Sequence, residues 1–130
     1  MNTLNVGNLG EKLSVQYMLG KGFDVLETNY HSRYGEVDII VKNSKHIVFI
    51  EVKTRKPNSM SKPAESVTVA KQSKIIKTAM TYLQKTECDL QPRFDVIEVI
   101  MSNKQPLQYS INHIENAFMQ KEGEDSYASF

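Results

Sequence analysis

In "GNLGEKLSVQYMLG" Leu9, Leu13 and Tyr17 recur at helical spacing, which predicts a helix over residues 8–19 with Asn8 as N-cap and Gly20 to Gly22 as its stop. The next segment, "FDVLETNY" (23–30), reads as a strand. Two strongly apolar strands follow at 35–42 and 46–54, joined by the polar "KNSK" turn into a hairpin. Residues 56–64, "KPNSMSKPA", have no hydrophobic period and predict an exposed loop. From 66 to 85, at about 100° per residue, Val69, Gln72, Ile76, Ala79, Met80 and Leu83 fall on one arc of a helix. Lys71, Lys74, Lys77 and Lys85 fall on the opposite arc, so this helix buries one side and offers lysines on the other. "RFDVIEVI" (93–100) is a further strand, "LQYSI" (107–111) an edge strand, and residues 113–119 a short terminal helix. The order is helix, three strands, helix, strand and a small addition, an α/β sandwich around one mixed sheet flanked by helices.

The hairpin carries charges that its apolar character does not explain: Glu36, Asp38, Glu51 and Lys53. With Asn43 and Ser44 as the central turn residues, Ile40 faces Ile47, Asp38 faces Phe49 and Glu36 faces Glu51. Side chains alternate with period two, so the four charged residues project from one side of the sheet. Val37, Ile39, Val41, Val48, Ile50 and Val52 form the other, apolar side. Asp38 and Glu51 are then diagonal neighbours, with about 7–8 Å between backbones and less between side-chain tips. One reading is a solvated face with cross-strand ion pairs. The other is a site for a hard divalent cation, because Ile40, Ile47 and Phe49 imply partial cover and Glu36 opposite Glu51 is repulsive without added positive charge. Lys53 shares the face, either to orient or deprotonate a water nucleophile or simply to pair with Glu51. The register decides the matter, since a turn one residue longer would send Asp38 and Glu51 to opposite faces.

At 130 residues with 40% hydrophobic and 24% charged positions, the chain has the size and composition of one ordinary globular domain. That domain is expected over residues 1–119, with the acidic, aperiodic stretch 120–130 as a disordered tail. The N-terminus has no apolar leader and no run approaches the ~20 residues of a membrane-spanning helix, so a cytoplasmic protein without membrane contact is expected. One cysteine, Cys88, excludes an internal disulfide and a cysteine-based zinc cluster. His31, His46 and His113 lack ligand spacing and are expected at the surface or a sheet edge. The net charge is +1, yet between Lys53 and Lys85 eight basic residues stand against the single acid Glu65, so one part of the molecule is a cationic surface.

"VD" at 37–38 followed by "EVK" at 51–53 resembles the PD-(D/E)xK nuclease signature, with valine in place of the proline. "GNLGEKLSVQYML", "NYHSRYGEVDII", "VFIEVKTR", "ESV", "AKQSKIIKTAMTYL" and "RFDVIEVI" together resemble the YraN-type family of small bacterial proteins over residues 7–118. The resemblance implies a restriction-endonuclease-like αβββαβ core. It further implies Asp38 and Glu51 as metal ligands, the Val52 carbonyl as a further ligand, and Lys53 as the group that positions or activates water. Similarity to archaeal Holliday-junction resolvases adds Glu11 as a metal ligand from the first helix, against its reading as the capping-box partner of Asn8. Glu36 and Gln72 would support the site from behind the ligands, Glu36 otherwise being a rim charge and Gln72 half-buried packing. Arg55, Lys56, Lys71 and Lys74 would contact the nucleic-acid backbone.

The implied activity is hydrolysis of DNA phosphodiesters with Mg²⁺ or Mn²⁺, selective for branched or single-stranded structure rather than sequence. The rival is a non-catalytic nucleic-acid-binding or adaptor protein that keeps the nuclease fold. Junction resolvases act through two symmetry-related sites, so a homodimer stays open, although no dimer seam is evident in the sequence.

Overall fold

The computed structural model describes residues 6–57, 67–102 and 108–119. The proposed loop beyond Pro57 and the acidic tail lie outside the described residues. Helix α1 (Val6–Gly20) is followed by strands β1 (Asp24–Ser32), β2 (Gly35–Lys42) and β3 (His46–Arg55). Helix α2 (Val69–Thr86) then crosses to β4 (Gln91–Met101), and β5 (Tyr109–Phe118) completes one five-stranded sheet in the order β1-β2-β3-β4-β5. Among the described strands only β3 and β4 pair in parallel, as a helical crossover between them requires. This α/β arrangement, a mixed sheet with two helices, is consistent with a restriction-endonuclease-like core.

A separate apolar cluster occupies each face of the sheet. Ile39, Val41, Val48, Ile50, Ile97 and Val99 pack with Met18 of α1, whereas Ile40, Ile47, Phe49, Phe94 and Val96 pack with Ile75, Ile76, Ala79 and Tyr82 of α2. The side of the hairpin that carries the charges is therefore fully covered over most of its length, since Ile40, Ile47 and Phe49 have no exposed surface. Val37 departs from the expected alternation and packs with the α2 cluster.

The ends of α1 and α2 correct two sequence expectations. Helix α1 begins at Val6, which places Asn8 inside its first turn and removes both the Asn8 N-cap and the capping box with Glu11. It closes as expected at Gly22, whose φ of +92° lets the Phe23 N–H reach the Met18 carbonyl at 3.1 Å. Helix α2 is capped by the Thr68 hydroxyl, which accepts from the Lys71 N–H at 3.2 Å. Val69, assigned to the buried arc, is 76% exposed because the first turn of α2 projects past the core.

Two further corrections concern the sheet. The hairpin pairs Lys42 with Ile47, Val41 with Val48, Ile40 with Phe49 and Ile39 with Ile50. The central turn residues are therefore Ser44 and Lys45. Asn43 precedes them because its Oδ1 accepts from the Lys45 and His46 N–H groups at 2.9 and 2.7 Å, making it the first corner of the turn. The turn has slid along the chain without changing length, so the faces keep their expected composition, Val37 apart, while every opposite partner moves by two.

At the other edge, the expected short strand and terminal helix are one continuous strand, β5, antiparallel to β4. Ile111, Ile114 and Phe118 mimic helical spacing, but Ile111 packs on the α1 side and Ile114 and Phe118 on the α2 side. Asn116, at φ +52°, marks the irregularity opposite Phe94 and Val96.

Asp95 holds that irregularity in place. Fully buried, its carboxylate accepts from Arg93 at 3.0 and 2.9 Å, from the Asn116 N–H at 3.1 Å and from His113 Nε2 at 2.7 Å. With Nε2 donating, His113 Nδ1 faces the Tyr17 hydroxyl at 3.3 Å, which ties β5 to α1. His113 thus lies on the edge strand β5, one of the two places expected for it, but as a buried network residue, its side chain being 4% exposed. Burial pushes the Asp95 carboxyl up, but the hydrogen bonds from His113, Arg93 and Asn116 outweigh it and hold it below the usual carboxylate range.

Gly10 sets how closely α1 approaches β3. A Cβ at this position would stand 2.5 Å from Thr54 Oγ1, so only glycine permits the observed contact.

Two predictions follow from these contacts. Gly10→Ala should destabilise the protein, since overpacking costs about 1–3 kcal/mol and outweighs the ~1 kcal/mol that alanine gains over glycine in a helix. In a Thr54→Ala background the same change should become neutral or stabilising; thermal melts of the four proteins give the cycle, and equal losses in both backgrounds would contradict the contact. Asp95→Asn should cost about 3–5 kcal/mol near neutral pH by leaving Arg93 and His113 without their partner. Because the Asp95 pKa is depressed on folding, its contribution is present above the unfolded carboxylate pKa and lost as pH falls through the folded one. Urea unfolding near neutral pH and near pH 3 should therefore show the gap between wild type and variant shrinking with acid.

Candidate metal and nucleic-acid site

The ladder between β2 and β3 stops at Ile39–Ile50, and the next residues along it are Asp38 and Glu51. There the Val52 N–H donates to Asp38 Oδ2 at 2.8 Å. Asp38, rather than Glu36, is therefore the carboxylate that stands against Glu51. Glu51 is buried, with 4% of its side chain exposed, and meets two ammonium groups: Lys71 Nζ at 2.6 Å and Lys53 Nζ at 3.5 Å. Lys71 arrives from the first turns of α2 and Lys53 from the same strand as Glu51.

Asp38 is held differently. Burial, the neighbouring Glu51 carboxylate and the weaker charges of Glu11 and Glu36 raise its pKa to about 7, against the opposing hydrogen bond from Val52. The influence of Glu11 shows that α1 delivers this acid to the same neighbourhood, next to the Gly10 contact with Thr54. Burial would lower the Lys71 ammonium, but the hydrogen bond and charge of Glu51, with the charge of Asp38, hold it above its usual value.

The remaining residues singled out from the sequence are dispersed. Glu36 is half-exposed, 3.9 Å from His31 Nε2, and its charge reaches Asp38. Gln72 Nε2 donates to the Val67 carbonyl at 2.9 Å and so steadies the start of α2. Val52 contributes its amide to Asp38, while its side chain packs on the α1 side. Arg55 pairs with Glu98, both side chains largely covered, so its guanidinium is engaged inside the protein rather than presented to a ligand. Lys56 and Lys74 are exposed.

Sequence reasoning did not single out the neighbouring Arg33 and Tyr34. The Arg33 guanidinium lies 5.0 Å over the Tyr34 ring and donates to its hydroxyl at 2.9 Å, and Lys77 Nζ lies 5.8 Å from the same ring centroid. The signal is present in the sequence as a basic–aromatic pair directly before Gly35, within "NYHSRYGEVDII".

Among the described residues no group of three or more His, Cys, Asp or Glu side chains is placed to hold a metal ion by itself. Two carboxylates with water and substrate oxygens are nevertheless the usual complement for Mg²⁺. No helix among the described residues is long and apolar enough to cross a membrane.

The fold and this cluster define a small α/β protein with a restriction-endonuclease-like core and an acid pair flanked by lysines. The chain belongs to the Uncharacterised protein family UPF0102, the YraN family, whose pattern matches residues 10–99. A UPF0102 protein of Caldanaerobacter subterraneus subsp. tengcongensis is 41% identical over 119 residues, 91% of this chain and 98% of its own length. One from Clostridioides difficile is 45% identical over 119 residues, covering 91% of this chain and all 100% of its own. Another from Clostridium tetani is 44% identical over 121 residues, 91% of this chain and 98% of its own.

In metal-free protein the Asp38 carboxyl, raised to about 7, keeps its proton when the unfolded chain has lost it. Stability should therefore be highest in mild acid and fall as pH rises from about 4 toward 7. Asp38→Asn should flatten that slope, which melting temperatures in EDTA across this range would measure; an unchanged slope would contradict the raised proton affinity of Asp38 beside Glu51.

Proposed function

We propose that this protein is a metal-dependent nuclease that hydrolyses DNA phosphodiester bonds and selects branched or single-stranded structures rather than sequences. The observation that carries the proposal is the pair of buried Glu51 and half-buried Asp38 at the parting of β2 and β3, with Lys53 two residues on. The donors fit a hard divalent cation: both are carboxylates, and burial with the neighbouring Glu51 charge raises the proton affinity of Asp38, a demand for positive charge that a cation would meet. Asp38 and Glu51 would hold Mg²⁺ or Mn²⁺, with Glu11 and the Val52 carbonyl as further oxygen donors. When bound, the ion supplies positive charge against the charge that develops on the phosphate oxygens.

The chain's own groups do the rest. Lys53, with 25% of its side chain exposed beside Glu51, orients the attacking water and manages its proton at Nζ. Lys71, 43% exposed, can turn from Glu51 to a phosphate oxygen. Lys56 and Lys74 contact phosphates farther along, which gives affinity without sequence preference. Glu36 borders the acids, and Gln72 supports Lys71 by holding the start of α2.

One observation favours a second reading, a nucleic-acid-binding or adaptor protein without catalysis. The 2.6 Å ion pair with Lys71 neutralises Glu51 with no metal at all.

Cleavage of labelled single strands, duplexes, flaps and four-way junctions with Mg²⁺ or Mn²⁺ separates the two. Lys53→Ala should lower cleavage by about 10²–10⁴-fold while melting temperature and DNA affinity stay unchanged. Asp38→Ala should remove saturable Mn²⁺ binding in calorimetry. Wild-type protein that binds these DNAs and cleaves none of them would hand the assignment to the adaptor reading.

A further inference from the structure

Beside the acid pair lies a cleft of about 510 Å³, between the β1–β2 turn and the first half of α2. Its walls include His31, Arg33, Tyr34, Glu36, Lys71 and Lys74. The turn is pinned rather than loose. Ser32 Oγ shares a hydrogen bond with Thr78 Oγ1 of α2 at 2.8 Å and accepts from the Tyr34 N–H at 3.0 Å. Gly35, at φ +156°, lies so close to α2 that a Cβ there would stand 3.4 Å from Lys74 Cβ. The cleft is therefore preformed.

We propose that this cleft binds an unpaired nucleotide of a single-stranded nucleic acid, with its base on Tyr34 and its phosphates among Arg33, Lys74 and Lys77. Three features lead to that ligand. An aromatic ring among cations is the composition of a single-strand platform, where the ring takes a base face and the cations take the backbone. The volume suits about one or two nucleotides. Two of its walls border the acids, since Lys71 bonds Glu51 and the charge of Glu36 acts on Asp38. A strand whose phosphate lies at the acid pair would thus send its neighbouring nucleotide into the cleft. A base can reach Tyr34 only when it has left its duplex, which converts the general preference for structure into a requirement for an unpaired base beside the cut. This direction of the strand rests on the nuclease reading; binding in the cleft does not.

The test is fluorescence anisotropy of full-length protein in EDTA with a short labelled single-stranded oligonucleotide and with its blunt duplex. Tyr34→Ala should weaken single-strand binding about tenfold and leave duplex binding unchanged, while Tyr34→Phe, which keeps the ring, stays within about twofold of wild type. Should Tyr34→Ala not fold, Lys74→Glu on the exposed cleft wall should weaken single-strand binding at least as much as it weakens duplex binding. Single-strand affinity indifferent to a folded Tyr34→Ala, or an equal loss on duplex in that variant, overturns the proposal, as does indifference to Lys74→Glu where Tyr34→Ala does not fold. Cleavage retained with Tyr34-independent binding would remove the cleft alone. Tyr34-dependent binding without any cleavage would uphold the cleft and remove the nuclease reading.

Discussion

The hydrogen bond from the Val52 amide to the Asp38 carboxylate is the contact on which the arrangement at this end of the sheet depends. Beyond Ile39–Ile50 the strands β2 and β3 no longer pair, and a strand amide under cover needs an acceptor. Asp38 supplies one, and in doing so is fixed against Glu51. Two carboxylates in a covered position repel, so the fold must bring positive charge to them, and Lys53 and Lys71 come from two different elements to do so. Gly10 adds to the same corner by letting α1 settle on β3 at Thr54, with Glu11 following it in sequence. The site is thus the meeting point of both helices with the diverging hairpin.

A comparison within the same sheet shows why this corner carries chemistry. Asp95 is fully buried, yet it accepts hydrogen bonds from Arg93, His113 and the Asn116 amide, and its proton affinity is depressed. Asp38 accepts one backbone hydrogen bond, faces other acids, and its proton affinity is raised. The first carboxylate has its charge fully compensated inside the protein, which is the mark of a structural fastening. The second is under-compensated, the condition under which a cation or a substrate can change the energy of the site.

Much of this was legible along the chain because the periods of α1, β2, β3, α2 and β4 are set by which residues can face an apolar layer. Asp38, Glu51 and Lys53 stood out for the same reason, as charges inside apolar strands. The exact pairing was not legible. Asn43 could serve as a central turn residue or as the corner before it, and only its side-chain bonds to the Lys45 and His46 amides chose the corner. In β5 the spacing of Ile111, Ile114 and Phe118 fits a helix as well as a strand that places Ile111 on one face and the other two on the opposite one. Pairing with β4 decided for the strand.

The sequence by itself determined the element order from α1 to β4, the two-sided hairpin and the family, because local periodicity and residue type do not depend on distant partners. Tertiary structure decided the rest. It engaged Arg55 with buried Glu98, set Lys71 on Glu51, buried His113 on Asp95, and pinned the turn holding Arg33 and Tyr34 against α2. Each of these joins residues from different elements, and no spacing along one strand or helix can report what a second element will bring opposite it.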